Sequence, residues 1–233
     1  MYKKILIFIE IIILASLILA VPINTIEQEL VVTVLPMKVA YIFKNDMKID
    51  QNIINALEEL NLEVDLIQED TLPVNLTEYR LIYVGDERFR NIENIPINKK
   101  PTIISNYYYG YDFGITDRDG ISQLGSTAPL TVNINGTSIQ VYTEAFLRAR
   151  LAVPYYFLNN GNKLSSLTQI AATKKTSSWT LGDVISYATP GTTLMNGKTV
   201  EENICFFGII KSEFWTSDAK NLFKNCVRFA TGL

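Results

Sequence analysis

The sequence predicts an α/β domain: an open, mostly parallel sheet with flanking helices and an inserted β-hairpin, preceded by an amino-terminal hydrophobic helix. Three observations carry this. Short β-branched and aromatic runs recur across residues 38–105, with a helical pattern between the first two. An Asn-Gly hairpin interrupts that pattern at residues 131–142. An almost unbroken apolar run from Ile5 to Val21 precedes both.

The elements follow in order. The run Lys38–Phe43 reads as a first core strand, short, apolar and rich in β-formers. Asp50 is a natural N-cap for a helix over Gln51–Leu60, where Ile53, Ile54, Leu57 and Leu60 share one face and Asn61 can close the last turn. Glu63–Ile67, Leu81–Gly85 and Pro101–Ser105 are the next three strands. Strand, helix, strand at this spacing points to parallel pairing with helices on the sheet faces. Thr131–Ile134, Asn135-Gly136 and Thr137–Tyr142 form a hairpin, because Asn-Gly accepts the two positive φ values of a type I′ turn. Leu167–Ala172 is another strand, followed by a polar loop from Lys174 to Ser178. Asp183–Ala188 continues the sheet and Pro190-Gly191 turns it. Ile204–Ile210 is nearly all apolar, as expected of a strand covered on both faces. A last helix over Asp218–Ala230 carries Ala219, Leu222, Phe223, Cys226, Val227 and Ala230 as its core stripe and stops at Gly232.

The amino-terminal run follows Lys3 and Lys4 and precedes Glu27 and Glu29. That asymmetry favours lysines on the cytoplasmic side and the remainder carried across the membrane. Its length, roughly 26 Å of helix, is slightly short for a hydrocarbon core and long for the apolar region of a cleavable signal. Residues 1–22 are therefore expected as a signal anchor or signal peptide, residues 23–37 as a tether or edge strand, and 38–233 as the domain. Glu10 inside the run resembles the type IV pilin arrangement, although Lys4 and Ile5 stand where pilins carry a small residue.

Net charge is −3, from 21 basic and 24 acidic residues, without a basic cluster beyond Lys174-Lys175. Nucleic-acid binding lacks its electrostatic footprint. Two cysteines, Cys205 and Cys226, are too few for a disulfide scaffold. They fall on a strand and a helix, and either a bridge or two separately buried thiols is open. Two sequons, Asn75-Leu76-Thr77 and Asn135-Gly136-Thr137, make Asn75 and Asn135 glycosylation candidates in a translocated chain. The turn chemistry alone already explains Asn135.

The final third carries a resemblance. Gly182–Tyr187 with Gly191–Gly197, and Asn203–Gly208 followed by Trp215–Asn225, resemble the ThuA-like branch of the class I glutamine amidotransferase-like superfamily. Phe113–Thr116 and the later Gly125–Pro129 fit the same pattern, so the likeness spans most of residues 38–233. It implies a flavodoxin-like sheet with flanking helices. The superfamily's chemistry needs a nucleophilic Cys on a sharp strand-to-helix turn, activated by a His. This chain has no histidine, and neither cysteine lies in a Gly-x-Cys-x-Gly turn. The inherited reaction is not expected, and no catalytic residue or cofactor is assigned.

Candidate ligand residues cluster after the third and fourth strands. Tyr107, Tyr108, Tyr109 and Tyr111 with Asp112 follow the fourth, where open α/β sheets bind ligands beyond the carboxyl ends of their strands. These tyrosines could stack on a sugar or a protein partner, or be half-buried in the crossover. Asp86, Glu87 and Arg88 open on the same rim, and Asp86 or Glu87 with Asp112 could supply two carboxylates for acid–base work on a glycan. Asp117–Gly120 is not a calcium loop, because the first ligand position falls on Ile115, so no metal is expected. The expected role is a membrane-tethered or secreted extracellular domain, non-catalytic, with a binding or cell-envelope function and a glycan or envelope-protein partner. The alternatives are a surface glycan hydrolase using carboxylates and a self-assembling, pilin-like filament component.

Overall fold

A computed structural model of the chain describes residues 37–126, 129–143, 152–176 and 179–233. The expected hydrophobic helix at residues 5–21, with Glu10, and the tether ahead of Met37 lie outside the described residues.

The strands are β1 (Met37–Phe43), β2 (Leu62–Gln68), β3 (Tyr79–Val84), β4 (Thr102–Ile104), β5 (Ile121–Ser126), β6 (Thr131–Ile134), β7 (Thr137–Gln140), β8 (Val153–Asn159), β9 (Thr168–Thr176), β10 (Trp179–Ala188) and β11 (Ile204–Phe207). The helices are α1 (Gln51–Glu58) and α2 (Ser217–Thr231). The sheet runs β2-β1-β3-β4-β11-β10-β9-β6-β7, with β8 against β10 and β5 against β8. The first five strands of that order pair in parallel, as a flavodoxin-like sheet does. From β10 onward the pairing is antiparallel.

Alternation along the parallel strands divides the core in two. Val39, Tyr41, Leu81, Tyr83, Ile103, Cys205 and Phe207 face α1 and α2, meeting Ile53, Leu57, Phe223, Cys226 and Val227. Ala40, Ile42, Ile82, Val84, Ile104, Ile204 and Phe206 face the other way. Fully burying each such large side chain contributes about 1.5–3 kcal/mol. Loops carrying Leu72, Leu76, Phe89, Ile95, Ile97, Phe113 and Leu194 cover that second face in place of helices. The crossovers responsible, Glu69–Glu78 and Gly85–Pro101, hold prolines and asparagines that stop helices, and they form only short 3₁₀ turns.

The local signals act as their chemistry dictates. Asp50 Oδ1 accepts the N–H groups of Asn52 and Ile53 at the start of α1, and Thr216 caps α2 through Ala219 N–H. Asn61 (φ 58°) ends the turn after α1, and Gly232 (φ 73°) ends α2. Asn135 and Gly136 take φ values of 49° and 88° between β6 and β7.

Two differences matter for the site. The antiparallel excursion is larger than one hairpin: β5 and β8 join it, and β9 and β10 are longer than their sequence signals. Strand β8 contains Pro154, and β5 is polar with Gly125 inside it, so neither has a clean strand pattern. Strand β11 stops at Phe207, because the backbone of β8 crosses at Gly208. A Cβ there would lie 2.1 Å from the Tyr156 carbonyl oxygen, and one on Gly182 would lie 1.9 Å from that of Leu158. These two glycines admit β8 against β10.

Candidate functional site

Strands β1, β3, β4 and β11 end on one rim of the sheet. Chain order reverses around β1, since β2 lies on one side of it and β3 on the other. Such a switch point is where open α/β sheets bind ligands. Here Glu87 closes it: its Oε1 accepts Lys44 N–H at 3.0 Å and its Oε2 accepts Asn45 N–H at 3.0 Å. The two backbone donors that would face an anion are occupied by the protein's own carboxylate. Glu87 is thus a positioning residue for the turn that carries Arg88.

Asn106, fully buried at the end of β4, fastens that turn to the tyrosine loop. Its Nδ2 donates to the carbonyls of Gly85 at 2.7 Å and Glu87 at 2.8 Å, and its Oδ1 accepts Tyr108 N–H at 2.8 Å. Sequence reasoning missed this role. The one signal was an amide residue directly after a strand, a position that favours turn closure.

Asp86 lies beside it, mostly enclosed. Oδ2 accepts the Tyr156 hydroxyl at 2.6 Å and Oδ1 faces Tyr107 N–H at 3.4 Å. Burial pushes this carboxyl above the ordinary aspartate range, while those two donors and the charges of Lys211 and Lys48 oppose the rise. The same burial, with the Asp86 charge next to it, pushes the Tyr156 hydroxyl up. Asp86 is therefore a half-buried anchor of the rim.

The tyrosines divide by environment. Tyr107 packs on Tyr156 with ring centroids 5.2 Å apart, and Tyr109 packs on Phe89 and Phe113 while its hydroxyl donates to the Phe89 carbonyl. Both are half-buried. Tyr108 is 40% exposed and Tyr111 57% exposed. The Arg88 guanidinium carbon lies 4.7 Å from the centroid of the Tyr108 ring, a cation–π arrangement. Tyr107, Tyr108 and Tyr111 line a cleft of about 340 Å³ with Arg88, Thr116, Arg118, Asp119 and Ile121. Its walls are set by backbone bonds within the loop: Gly110 C=O accepts the N–H groups of Ile115 and Thr116, and Phe113 N–H reaches Tyr109 C=O. Arg118 and Thr116 were not foreseen: in sequence Asp117–Gly120 bears only on the question of a calcium loop, and Thr116 only on the resemblance, through the segment Phe113–Thr116.

Asp112 is not on this cleft. It lines a separate cavity of about 190 Å³ with Glu93, Asn98, Asn196 and Lys198. The expected grouping of Asp86 or Glu87 with Asp112 on one cleft is thus corrected: Asp86 faces the Tyr156 hydroxyl, Glu87 holds two backbone N–H groups, and Asp112 opens on a different cavity. The carboxylate glycan-hydrolase reading loses its geometry. Among the described residues no three His, Cys, Asp or Glu side chains converge to hold a metal ion.

Cys205 and Cys226 are bridged with Cα atoms 5.8 Å apart, and both are fully buried between β11 and α2. Among the described residues the non-glycine positions with positive φ are Asn61 and Asn135, both in turns. Neither cysteine occupies a strained nucleophile turn. Asn75 Oδ1 accepts both the N–H and the hydroxyl of Thr77, so this sequon closes a turn on itself.

Fold and site together define an α/β domain with a ligand-sized cleft at the carboxyl rim of its parallel strands. The chain matches no protein-family model and no curated protein sequence. It is similar to a solved structure of a protein assigned as part of GMP synthase from Thermoplasma acidophilum, at 13% identity and TM-score 0.44, over 85% of this chain and 96% of that one. It is similar to PurLQS from Thermotoga maritima at 12% identity and TM-score 0.43, over 84% and 99%. A glutamine amidotransferase from Thermotoga maritima gives 10% identity and TM-score 0.45, over 84% and 96%. These names describe those proteins, and no activity passes from them to this chain.

The expectation of a membrane-tethered or secreted, extracellular envelope domain is corrected. Among the described residues no helix is long and apolar enough to cross a membrane, and the run from Ile5 to Val21 lies outside them. The membrane, envelope, glycoprotein, glycan-partner and filament readings are not carried further.

Proposed function

We propose that this chain is a ligand-binding α/β domain of amidotransferase-like architecture, within or near the ThuA-like branch, that does not hydrolyse amides. Binding takes place at the cleft beyond β4. One observation carries the reading: Tyr108 and Tyr111 stand exposed on the same cleft as Arg88 and Arg118. Large aromatic rings and guanidinium groups are the side chains that most often anchor bound partners. They are set on a loop whose backbone is hydrogen-bonded to itself and, through Asn106, to the neighbouring rim turn. A site already ordered before binding loses less entropy on association. The absence of histidine and the enclosed cysteines argue against the superfamily's reaction.

The test is NMR of isotope-labelled protein mixed with a small set of aromatic, saccharide and amino-acid fragments. Shifts should concentrate at Tyr107–Tyr111 and Arg118. Replacing Tyr108 and Tyr111 together by Ala should abolish them, with affinity falling by about 1 kcal/mol or more per ring, while the melting temperature barely moves. Shifts confined to other surfaces, or an unfolded double variant, would return the tyrosines to the core.

A further inference from the structure

We infer that the cleft takes a small flat anion: an aromatic or heteroaromatic ring bearing a phosphate or carboxylate group. This rests on the binding reading above and adds the chemical class of the ligand. Arg88 and Arg118 are both exposed on the cleft, and neither takes part in an ion pair among the described residues. Among the described residues Asp119 is the one acid on the lining, so the cleft's charge is net positive. A guanidinium presents a planar fork of donors that matches carboxylate and phosphate oxygens two at a time. The Arg88 guanidinium carbon lies 4.7 Å from the Tyr108 ring centroid, and its N–H groups are in no ion pair among the described residues.

The ring requirement comes from the tyrosines. Tyr111 and Tyr108 expose aromatic surface beside those charges, and flat π systems gain most from such faces. A neutral sugar could bond to the tyrosine hydroxyls, Thr116 and Asp119 of the lining, but it would leave both guanidinium groups without a charged partner. The switch-point backbone donors are no substitute for the arginines, because Glu87 already holds Lys44 N–H and Asn45 N–H. A volume of about 340 Å³ sits at the low end for small-molecule sites, which fits a single ring system with one charged group.

Adenosine 5′-monophosphate and 4-hydroxybenzoate are suitable flat anions, with adenosine, inorganic phosphate and maltose as comparisons, titrated by calorimetry and by NMR. Each flat anion should bind about tenfold or more tightly than the matching neutral or ring-free probe, and more weakly as salt rises. Arg118→Ala and Arg88→Ala should each lower that affinity by about tenfold, with unchanged melting temperatures. Adenosine or maltose binding as well as the anions, unaffected by either arginine replacement, would overturn the ligand class and leave the binding reading standing. If no probe shifts Tyr108 or Tyr111 at millimolar concentration, the class and the binding reading fall together.

Discussion

The Tyr156 hydroxyl donates to Asp86 Oδ2 at 2.6 Å, joining side chains 70 positions apart in the chain. That bond ties β8, in the antiparallel half, to the rim turn after β3 in the parallel half. Tyr156 also supports the Tyr107 ring, so the same side chain fixes both the Asp86 carboxylate and one wall of the cleft. The antiparallel additions are therefore part of how the candidate site is built.

Asp86 should leave a signature in the pH dependence of stability. Burial raises its carboxyl above the ordinary range, so the folded protein holds this proton more tightly than the unfolded chain does. Its contribution to folding is fully present below the unfolded pKa of about 3.9 and is lost as pH climbs through the raised folded value. Asp86→Asn cannot ionise, so its stability relative to the parent should improve as pH rises from about 3 toward 6. Urea unfolding across that range measures the difference. A difference that does not change with pH would remove Asp86 from the account.

Tyr156→Phe deletes the donor and keeps the ring. The enclosed carboxylate then loses its best partner, which should cost about 1–3 kcal/mol at neutral pH. The hydroxyl also opposes the rise of the Asp86 carboxyl, so its loss should move the acid-range midpoint of the stability profile upward. An unchanged midpoint would mean that water replaces the hydroxyl without consequence.

Gly208 makes the bond geometrically accessible. A methyl group there would meet the Tyr156 carbonyl oxygen at 2.1 Å and the Val184 carbonyl oxygen at 3.1 Å. Both are backbone atoms and cannot swing aside. Gly208→Ala should therefore destabilise by about 3 kcal/mol or more and displace β8, because overpacking against backbone is among the costlier substitutions. The Tyr156 and Tyr107 resonances should shift even in conditions where the variant stays folded.

The parallel half is legible in the sequence for physical reasons. Strands β1, β3 and β4 are apolar on both faces, Asp50 and Asn61 bracket α1, and Asn135-Gly136 admits one kind of turn. Two of the glycines in the resembling segments, Gly182 and Gly208, are points of close backbone approach and so serve the architecture. The site is legible in part. The tyrosine run after a strand end marks the right loop, but burial separates Tyr108 and Tyr111 from Tyr107, packed on Tyr156 of β8, and Tyr109, packed on Phe89 and Phe113. Arg118 and Asn106 stay hidden because an arginine in a polar turn and an asparagine after a strand have many ordinary uses. Glu87 reads in sequence as a ligand contact, and only the fold shows its two oxygens spent on neighbouring N–H groups.

Glu87 should behave as a support for Arg88. Glu87→Ala removes two charge-assisted hydrogen bonds to Lys44 N–H and Asn45 N–H, at a cost of about 1–3 kcal/mol. Glu87→Gln keeps one acceptor and should lose about half as much. Amide hydrogen exchange reports this directly: the Lys44 and Asn45 amides should exchange faster in the alanine variant, with the glutamine variant between. Unchanged protection would show that those amides are held by something else.

The chain should release no ammonia from glutamine or simple amides. A thiol nucleophile needs an accessible thiolate and a base that is active near neutral pH. Both sulfurs here are bridged to each other and fully buried, Cys205 inside a four-residue strand buried along its length and Cys226 on the core face of α2. The usual base is absent, since the chain has no histidine. The bridge closes a loop between residues 21 positions apart, so replacing both cysteines by Ala should lower stability by about 3 kcal/mol. It should do so without altering any binding at the tyrosine cleft, which lies at the rim and contains neither sulfur. The assay is ammonia release by the purified protein, alongside Cys205→Ser and Cys226→Ser versions checked for folding by circular dichroism. Turnover that vanishes in a folded cysteine variant would restore amide hydrolysis as the activity of this domain.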